Sequence, residues 1–207
     1  MRNYEIFEGL TDEEYSQALN IIHSGEYFYP KHKIILHAGD ITHNTGLVLE
    51  GSVSIESADI WGNSVLLGIM KPGELFAITY ALLAEPMLVD VRANEDCKAA
   101  FLNVQKINGP ETWARKIMRN ILTITAQKNL YLSERSFINA NKSIRRKVMS
   151  YLNSLSLKNK TRDLIIPFDR QQMADYLNVD RSALSKELSS MKNEGIIDFH
   201  RNHFMLI

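Results

Sequence analysis

The sequence predicts an α+β fold with an antiparallel β domain first, one long helix second, and a small helical domain closed by a β-hairpin last. Short apolar stretches separated by turn residues run from Tyr27 to about Val104. This even spacing favours an antiparallel sandwich or barrel over a parallel α/β sheet. Glycine and proline are absent between Glu111 and Phe137, as expected for a long helix. Beyond that helix, helix-capping residues precede a final pair of short apolar stretches.

The bulk composition is that of a chain with a substantial core and no membrane segment. Hydrophobic residues make up 45% of the 207 residues, and charged residues 23%. No apolar run approaches the roughly 18 residues that span a bilayer, and the N-terminal "MRNYEIFEGLTDEE" lacks the apolar stretch of a signal peptide. Cys97 is the single cysteine, so no intrachain disulfide can form. We therefore expect no membrane association and a reducing, cytoplasmic location.

Charge is unevenly distributed along a chain whose formal net charge is zero. From Lys142 to the end there are 12 Lys and Arg against 7 Asp and Glu, whereas the preceding residues hold 12 against 17. This asymmetry indicates a basic module attached to an acidic one, although chance variation between two surfaces would produce the same numbers.

The N-terminal elements are predicted from caps and turns. Thr11 and Glu14 have the spacing of a capping box at a helix start, and we expect Gly25 to close that helix. The strand-like segments after it are "KIILHAGD", "TGLVLEGSVSIES", "SVLLGIMKPGELFA" and "MLVDVRANEDCKAAFLNV". Turn dipeptides separate them at Gly39-Asp40, Gly62-Asn63 and Pro72-Gly73.

A long helix is predicted to start at Pro110, whose missing N–H costs nothing in a first turn. Isoleucines and a tyrosine in it follow a 4–3 spacing close to a heptad seam, which Lys128 and Arg135 interrupt. The predicted dimer contacts on this seam are Ile117, Ile121, Ile124 and Tyr131. Packing of the same residues on the chain's own sheet is the alternative.

The C-terminal segment "FDRQQMADYLNVDRSALSKELSSMKNEGIIDFHRNHFMLI" carries the functional prediction. Asp169 and Asp180 are placed to cap two successive helices, and Asn178 lies at the turn between them. On the second helix, apolar Leu184, Leu188 and Met191 cluster on one side. Nearly opposite them cluster Ser182, Ser185, Lys186 and Ser189. Small hydroxyl residues with one long cation suit a helix that approaches DNA base edges closely.

After Gly195, "IIDFHRNHFMLI" predicts a hairpin wing, and here the chain resembles the Crp/Fnr family of bacterial transcription regulators. The resemblance rests on "YPKHKIILHAGD", "LVLEGSVSI", "MKPGELFA" and "VRANEDC", in the family's order, and on "RQQMADYLNVDRSALSKELSSMKNEGII". It implies an antiparallel, double-stranded jelly-roll-like β-roll over residues 1–108, a dimerisation helix and hinge over 109–140, and a winged helix-turn-helix over 141–207. It also implies that Arg181, Ser182 and Lys186 read the major groove, and that Arg170 and Gln171 contact phosphates.

The chain departs from the ligand-binding patterns of that family. Cyclic-AMP-binding members carry a glutamate and an Arg-Ser pair where this chain has Ile78 and Met87-Leu88. These side chains carry no positive charge and no hydrogen-bond donor for a buried phosphate. With Ser133 they form the candidate effector pocket, which we expect to accept a small apolar or aromatic molecule or to act without a ligand. A single cysteine cannot hold an iron–sulfur cluster, and no His or Cys stands at the haem-binding positions, so no cofactor is expected. Cys97 is interpreted as a buried small hydrophobe, with a redox-sensing thiol as the alternative.

The predicted function is therefore sequence-specific binding of palindromic double-stranded DNA by a homodimeric transcription regulator that works with RNA polymerase and an unidentified small effector. One alternative is a ligand-binding regulatory module whose winged helix contacts protein instead of DNA. An enzyme is the other alternative, but the sequence has no evident nucleophile–base pair, metal-ligand spacing or phosphate-binding loop.

Overall fold

The computed structural model describes residues 1–58 and 64–207 of the chain. The chain divides into two compact units, Met1–Ala126 and Gln127–Ile207. This division falls inside the long helix. The sequence instead predicted boundaries after residues 108 and 140, on either side of that helix, and those boundaries stay a prediction.

The first unit begins with a 3-10 helix (Glu5–Phe7) and helix α1 (Asp12–Ile22). The predicted capping box is confirmed: Thr11 Oγ1 accepts from the Glu14 N–H, and the Glu14 carboxylate accepts from the Thr11 N–H. The prediction that Gly25 ends this helix is wrong. The helix ends at Ile22 because His23 already has extended backbone and pairs with a strand, and Gly25 lies at a bulge inside that strand with φ +139°.

Two four-stranded antiparallel sheets form the body of the first unit, which confirms the predicted β-roll. One sheet has the order β1-β8-β3-β6 and the other β2-β7-β4-β5. The strands are β1 (His23–Tyr29), β2 (Ile34–Leu36), β3 (Asn44–Glu50), β4 (Val53–Ala58), β5 (Ser64–Met70), β6 (Leu75–Phe76), β7 (Asp90–Ala93) and β8 (Cys97–Asn103). Short helix α2 (Ile78–Leu83) follows β6. Gly39 and Gly73 occupy turns with φ +92°, whereas the predicted Gly62-Asn63 turn lies outside the described residues.

Aromatic side chains fill the interior of the β-roll. Phe76 and Phe101 meet edge to face with ring centroids 5.9 Å apart. Gly46 lies directly beneath Phe76, since a Cβ at that position would come within 1.9 Å of the ring. Cys97 is buried in the same cluster, and burial raises the pKa of its thiol. The buried position supports the interpretation of Cys97 as a core residue.

Helix α3 (Thr112–Asn139) confirms the predicted long helix, although it starts two residues after Pro110. Its first turns belong to the core of the first unit, where Ile117 and Ile121 are 0% and 1% exposed. Ile124 packs against the same core. Ile117 and Ile121 are therefore covered within the chain itself, which is the alternative packing, whereas Ile124 is only partly buried. The predicted dimer contact at Ile124 stays a prediction. Tyr131, the fourth predicted contact, packs on Tyr176 with centroids 6.1 Å apart.

The second unit contains three further helices and a small sheet around one core. The helices are α4 (Ile144–Asn159), α5 (Arg170–Leu177) and α6 (Arg181–Asn193), and the strands are β9 (Asp163–Ile165), β10 (Ile197–His200) and β11 (His203–Leu206). The predicted hairpin of β10 and β11 is confirmed, but β9 adds a third strand against β11 that the sequence did not indicate. Helix-face residues such as Leu152, Leu184 and Leu188 are completely buried in the core.

Candidate nucleic-acid interface

Helices α5 and α6 are bounded by side-chain caps at the predicted positions. Asp169 accepts from the Gln172 N–H at 2.8 Å, and Gln172 Oε1 accepts from the Asp169 N–H at 2.9 Å. Asn178 ends α5 in the left-handed conformation, at φ 49°, which asparagine tolerates better than most residues. Asp180 then starts α6 by accepting from the Ala183 N–H at 2.9 Å. Local hydrogen bonds thus define both ends of the turn between the helices.

Lys147 of α4 stabilises the turn between α5 and α6 by hydrogen bonds. Its ammonium donates to the carbonyl oxygens of Leu177 and Asn178 at 2.9 and 3.2 Å. These carbonyls lie at the end of α5, where a cation also complements the helix dipole. Sequence reasoning missed this residue, because nothing local marks a lysine some thirty positions away as a partner of the turn.

Helix α6 has one buried face and one polar face. Leu184, Leu188 and Met191 are completely buried, as predicted. Arg181, Ser182 and Lys186 are exposed near the start of the helix, and Ser185 is half-buried beside them. The structure therefore brings these four predicted base-reading residues together on one accessible surface.

Hydrogen bonds orient the serine hydroxyls on this surface. Ser182 Oγ lies 2.5 Å from Asp180 Oδ1, and because an ionised carboxylate only accepts, the hydroxyl must donate. Ser185 donates to the Arg181 carbonyl at 3.0 Å, and Ser189 to the Ser185 carbonyl at 3.0 Å. With their protons used internally, the serines present oxygen lone pairs outward, next to the donors of Arg181 and Lys186.

The charge of Asp180 is part of this arrangement. The hydrogen bond from Ser182, together with the backbone N–H of Ala183, holds the pKa of the Asp180 carboxyl below its ordinary value. Asp180 is therefore ionised at neutral pH and stabilises the helix N-terminus by accepting from it.

Arg145 of α4 clamps the other half of α6. It donates to Glu187 at 2.6 Å and makes two 2.6 Å bonds to Glu194, one to each carboxylate oxygen. The pKa of Glu194 is lowered by Arg145 first and Ser190 second. Arg145 thus pairs with one carboxylate on α6 and one at its C-cap and offsets part of their negative charge.

The two predicted phosphate contacts at the start of α5 have different surroundings. Gln171 is exposed and donates to Asp175 at 2.9 Å. Arg170 is half-buried and turned toward the wing, where its guanidinium lies over the rings of Phe199 and Phe204. The wing tip contributes an exposed Arg201, which sequence reasoning did not single out, with φ 55° at the hairpin turn. His203 on β11 pairs with Asp163 of β9.

The candidate effector residues lie in several environments. In the first unit, Ile78 is buried in the cluster that includes Ile117, whereas Met87 is buried in the β-roll cluster with Phe76. Leu88 is 77% exposed. In the second unit, Ser133 is exposed and donates to Asn129 at 3.4 Å. Among the described residues, no group of three or more His, Cys, Asp or Glu could hold a metal ion.

Comparison with known proteins finds two family matches in succession. Residues 26–109 match the cyclic nucleotide-binding domain, and residues 146–207 match the Crp-like helix-turn-helix domain. No curated protein sequence matches the chain closely enough to count as a relative. In the described part of the chain, no helix is long and apolar enough to cross a membrane.

Solved structures share the fold over nearly the whole chain. A CooA mutant from Carboxydothermus hydrogenoformans is 18% identical with a TM-score of 0.61, covering 99% of this chain and 92% of its own. The regulator CLP from Xanthomonas campestris, described as c-di-GMP responsive, is 17% identical with a TM-score of 0.55 and coverages of 95% and 99%. The catabolite activator protein of Thermus thermophilus is 22% identical with a TM-score of 0.53 and coverages of 98% and 93%.

Proposed function

We propose that this chain, which belongs to the Crp/Fnr family of DNA-binding transcription regulators, acts in the cytoplasm as a homodimer on a palindromic operator. The family is one of regulators and not of enzymes. The observation that carries the operator proposal is the polar face of α6. Arg181, Ser182 and Lys186 are exposed there, while the opposite face is buried in the core. A helix of this kind enters the major groove with its N-terminal residues against the base edges.

Dimerisation is proposed through α3, but along a different line from the predicted seam. Met118 and Leu122 are exposed by 37% and 68%. With Thr125, Asn129 and Leu132 they continue a 4–3 spacing, which we call the α3 stripe. Each stripe residue follows a residue of the predicted seam by one position, so the stripe is rotated by about 100° from the isoleucines that pack into the first unit. Two copies joined along it present two reading helices, so half-sites are expected about 34–36 Å apart.

The effector is proposed to be a small apolar or aromatic molecule and not a cyclic nucleotide. The supporting observation is that Ile78 and Met87 are buried among apolar side chains. An anionic phosphate placed beside them would lose its water without gaining hydrogen-bond donors from these side chains. RNA polymerase is the proposed partner of the DNA-bound regulator.

Selection of operators from a random DNA pool, followed by affinity measurements over a range of salt concentrations, tests the function. We expect a two-fold symmetric consensus and a log K that falls steeply with log salt, since phosphate contacts release counterions. A protein-binding role of the winged helix predicts the opposite result, in which no sequence is enriched and DNA affinity is weak and non-specific.

A further inference from the structure

The guanidinium of Arg170, on α5, packs against the wing. Its Cζ lies 5.2 Å from the centroid of the Phe199 ring and 5.6 Å from that of Phe204. The two rings are themselves stacked, with centroids 5.4 Å apart and planes 21° from parallel. Nη2 donates to the carbonyl of Arg201 at 3.3 Å, and Nη1 lies 3.6 Å from the sulfur of Met173. One side chain of α5 thus touches both strands and the tip of the wing.

The carbonyl that Arg170 binds belongs to the turn of the hairpin. Arg201 has left-handed backbone there, at φ 55°, which costs a non-glycine residue conformational energy and persists when surrounding contacts over-determine it. The side-chain amide of Asn202 provides a second tie, donating to the Ile166 carbonyl at 3.2 Å. A cleft of about 500 Å³ borders Arg170 and the tip, so the hairpin has space in which to shift if the Arg170 contacts are lost.

We infer that Arg170 is a positioning residue that sets the orientation of the wing relative to α5 and α6, and not a direct phosphate contact. A guanidinium is suited to this role because it stacks on aromatic faces and donates in its own plane at the same time. Partial burial also lowers the pKa of Arg170, which agrees with a cation that is partly shielded from water. The inference differs from the phosphate role that the family resemblance implies. The DNA-binding test of this inference rests on the proposed function, whereas the hydrogen-exchange test on the free protein does not.

Hydrogen exchange of the wing amides in the free protein is the first test, with Arg170→Met and Arg181→Met as a matched pair. We expect exchange between His200 and Met205 to accelerate by about tenfold or more in Arg170→Met, because the hairpin opens locally more often. Arg181→Met loses the same charge from the same unit at an exposed position on α6, and should exchange like the parent. Equal exchange in all three proteins would overturn the inference, whether or not the chain binds DNA.

DNA binding with charge-conserving Arg170→Lys is the second test. Lysine supplies a phosphate-binding cation but cannot stack and donate in one plane as arginine does. We expect the Lys variant to bind the selected operator about tenfold more weakly than the parent, with the slope of log K against log salt unchanged. Parent-like affinity in the Lys variant, with a slope reduced by about one in the Met variant, would identify a phosphate contact instead. If Arg170→Met does not fold, Phe199→Leu removes the same stacking from the wing side and should reproduce the fast exchange; parent-like exchange there would overturn the inference.

Discussion

Asp180 both caps α6 and orients a side chain on its polar face. It caps α6 through the Ala183 N–H and also holds the Ser182 hydroxyl. The same carboxylate therefore starts the helix and determines which side of a neighbouring hydroxyl faces outward. Arg170 differs from these outward-facing side chains, because its guanidinium packs against the protein's own aromatic rings.

Removing one base-reading side chain should relax sequence preference. Lys186→Ala is expected to lose about 1–3 kcal/mol of operator affinity, with weaker discrimination at one position of each half-site. Arg181→Ala should behave in the same way at a different position. Lys158→Ala is the matched control, since Lys158 is exposed on α4 and its loss changes the net charge equally. Parent-like affinity of both Lys186→Ala and Arg181→Ala on a selected operator would exclude the assignment.

The Asp180 cap should depend on pH in a defined direction. Its pKa is lowered in the folded state, so the folded protein binds that proton less tightly than the unfolded chain. The stabilisation is complete above the ordinary value of about 4 and is lost as the pH falls through the lowered folded value. We expect the urea midpoint of the parent to exceed that of Asp180→Asn at pH values above about 5, and the difference to shrink in acid. A difference that is constant with pH would contradict the role of the charge.

Helix α3 illustrates how one element serves two surfaces. Its isoleucines at 117 and 121 complete the core of the first unit, whereas Leu122 on the neighbouring face is exposed. Asn120 adds to the attachment by donating to the carbonyls of Ile6 and Glu8 at 3.1 and 2.9 Å. Adjacent positions of this helix should therefore respond very differently to the same substitution.

Leu122→Asp and Ile121→Asp form a matched pair on α3. Leu122→Asp should yield a folded monomer. The new carboxylate weakens association along the α3 stripe, but in the free subunit it is exposed to water and does not disturb the core. Ile121→Asp should instead unfold the first unit, since an unpaired carboxylate in the core costs several kcal/mol. Sedimentation velocity and circular dichroism distinguish the two results. A parent-like dimer in Leu122→Asp would place the interface elsewhere.

On the scale of the whole molecule, α3 contributes to both units, with Ile121 in the core of the first and Ile138 in the core of the second. The acidic excess lies before Lys142 and the basic excess after it. Helix α3 is therefore the covalent link through which the proposed effector response of the β-roll would have to reach the second unit.

Cyclic AMP and cyclic GMP should not switch this protein. Each charge-assisted hydrogen bond contributes about 1.5–3 kcal/mol, and Ile78, Met87 and Leu88 supply none to a phosphate. Isothermal titration of either nucleotide is expected to give no heat of binding at micromolar protein, while the same sample binds operator DNA. Micromolar binding accompanied by higher operator affinity would show that the prediction of a non-nucleotide effector is wrong.

The sequence by itself determined the parts of this protein that depend on short-range patterns. The caps at Thr11, Asp169 and Asp180, the turn at Asn178 and the buried face of α6 follow from spacing and local hydrogen bonding, and the structure contains all of them. Only the tertiary structure decided which apolar face of α3 was already covered, which carboxylates Arg145 pairs with and where Arg170 points. These are contacts between residues far apart in the chain. Their geometry depends on how whole elements pack, which no periodicity within a single helix encodes.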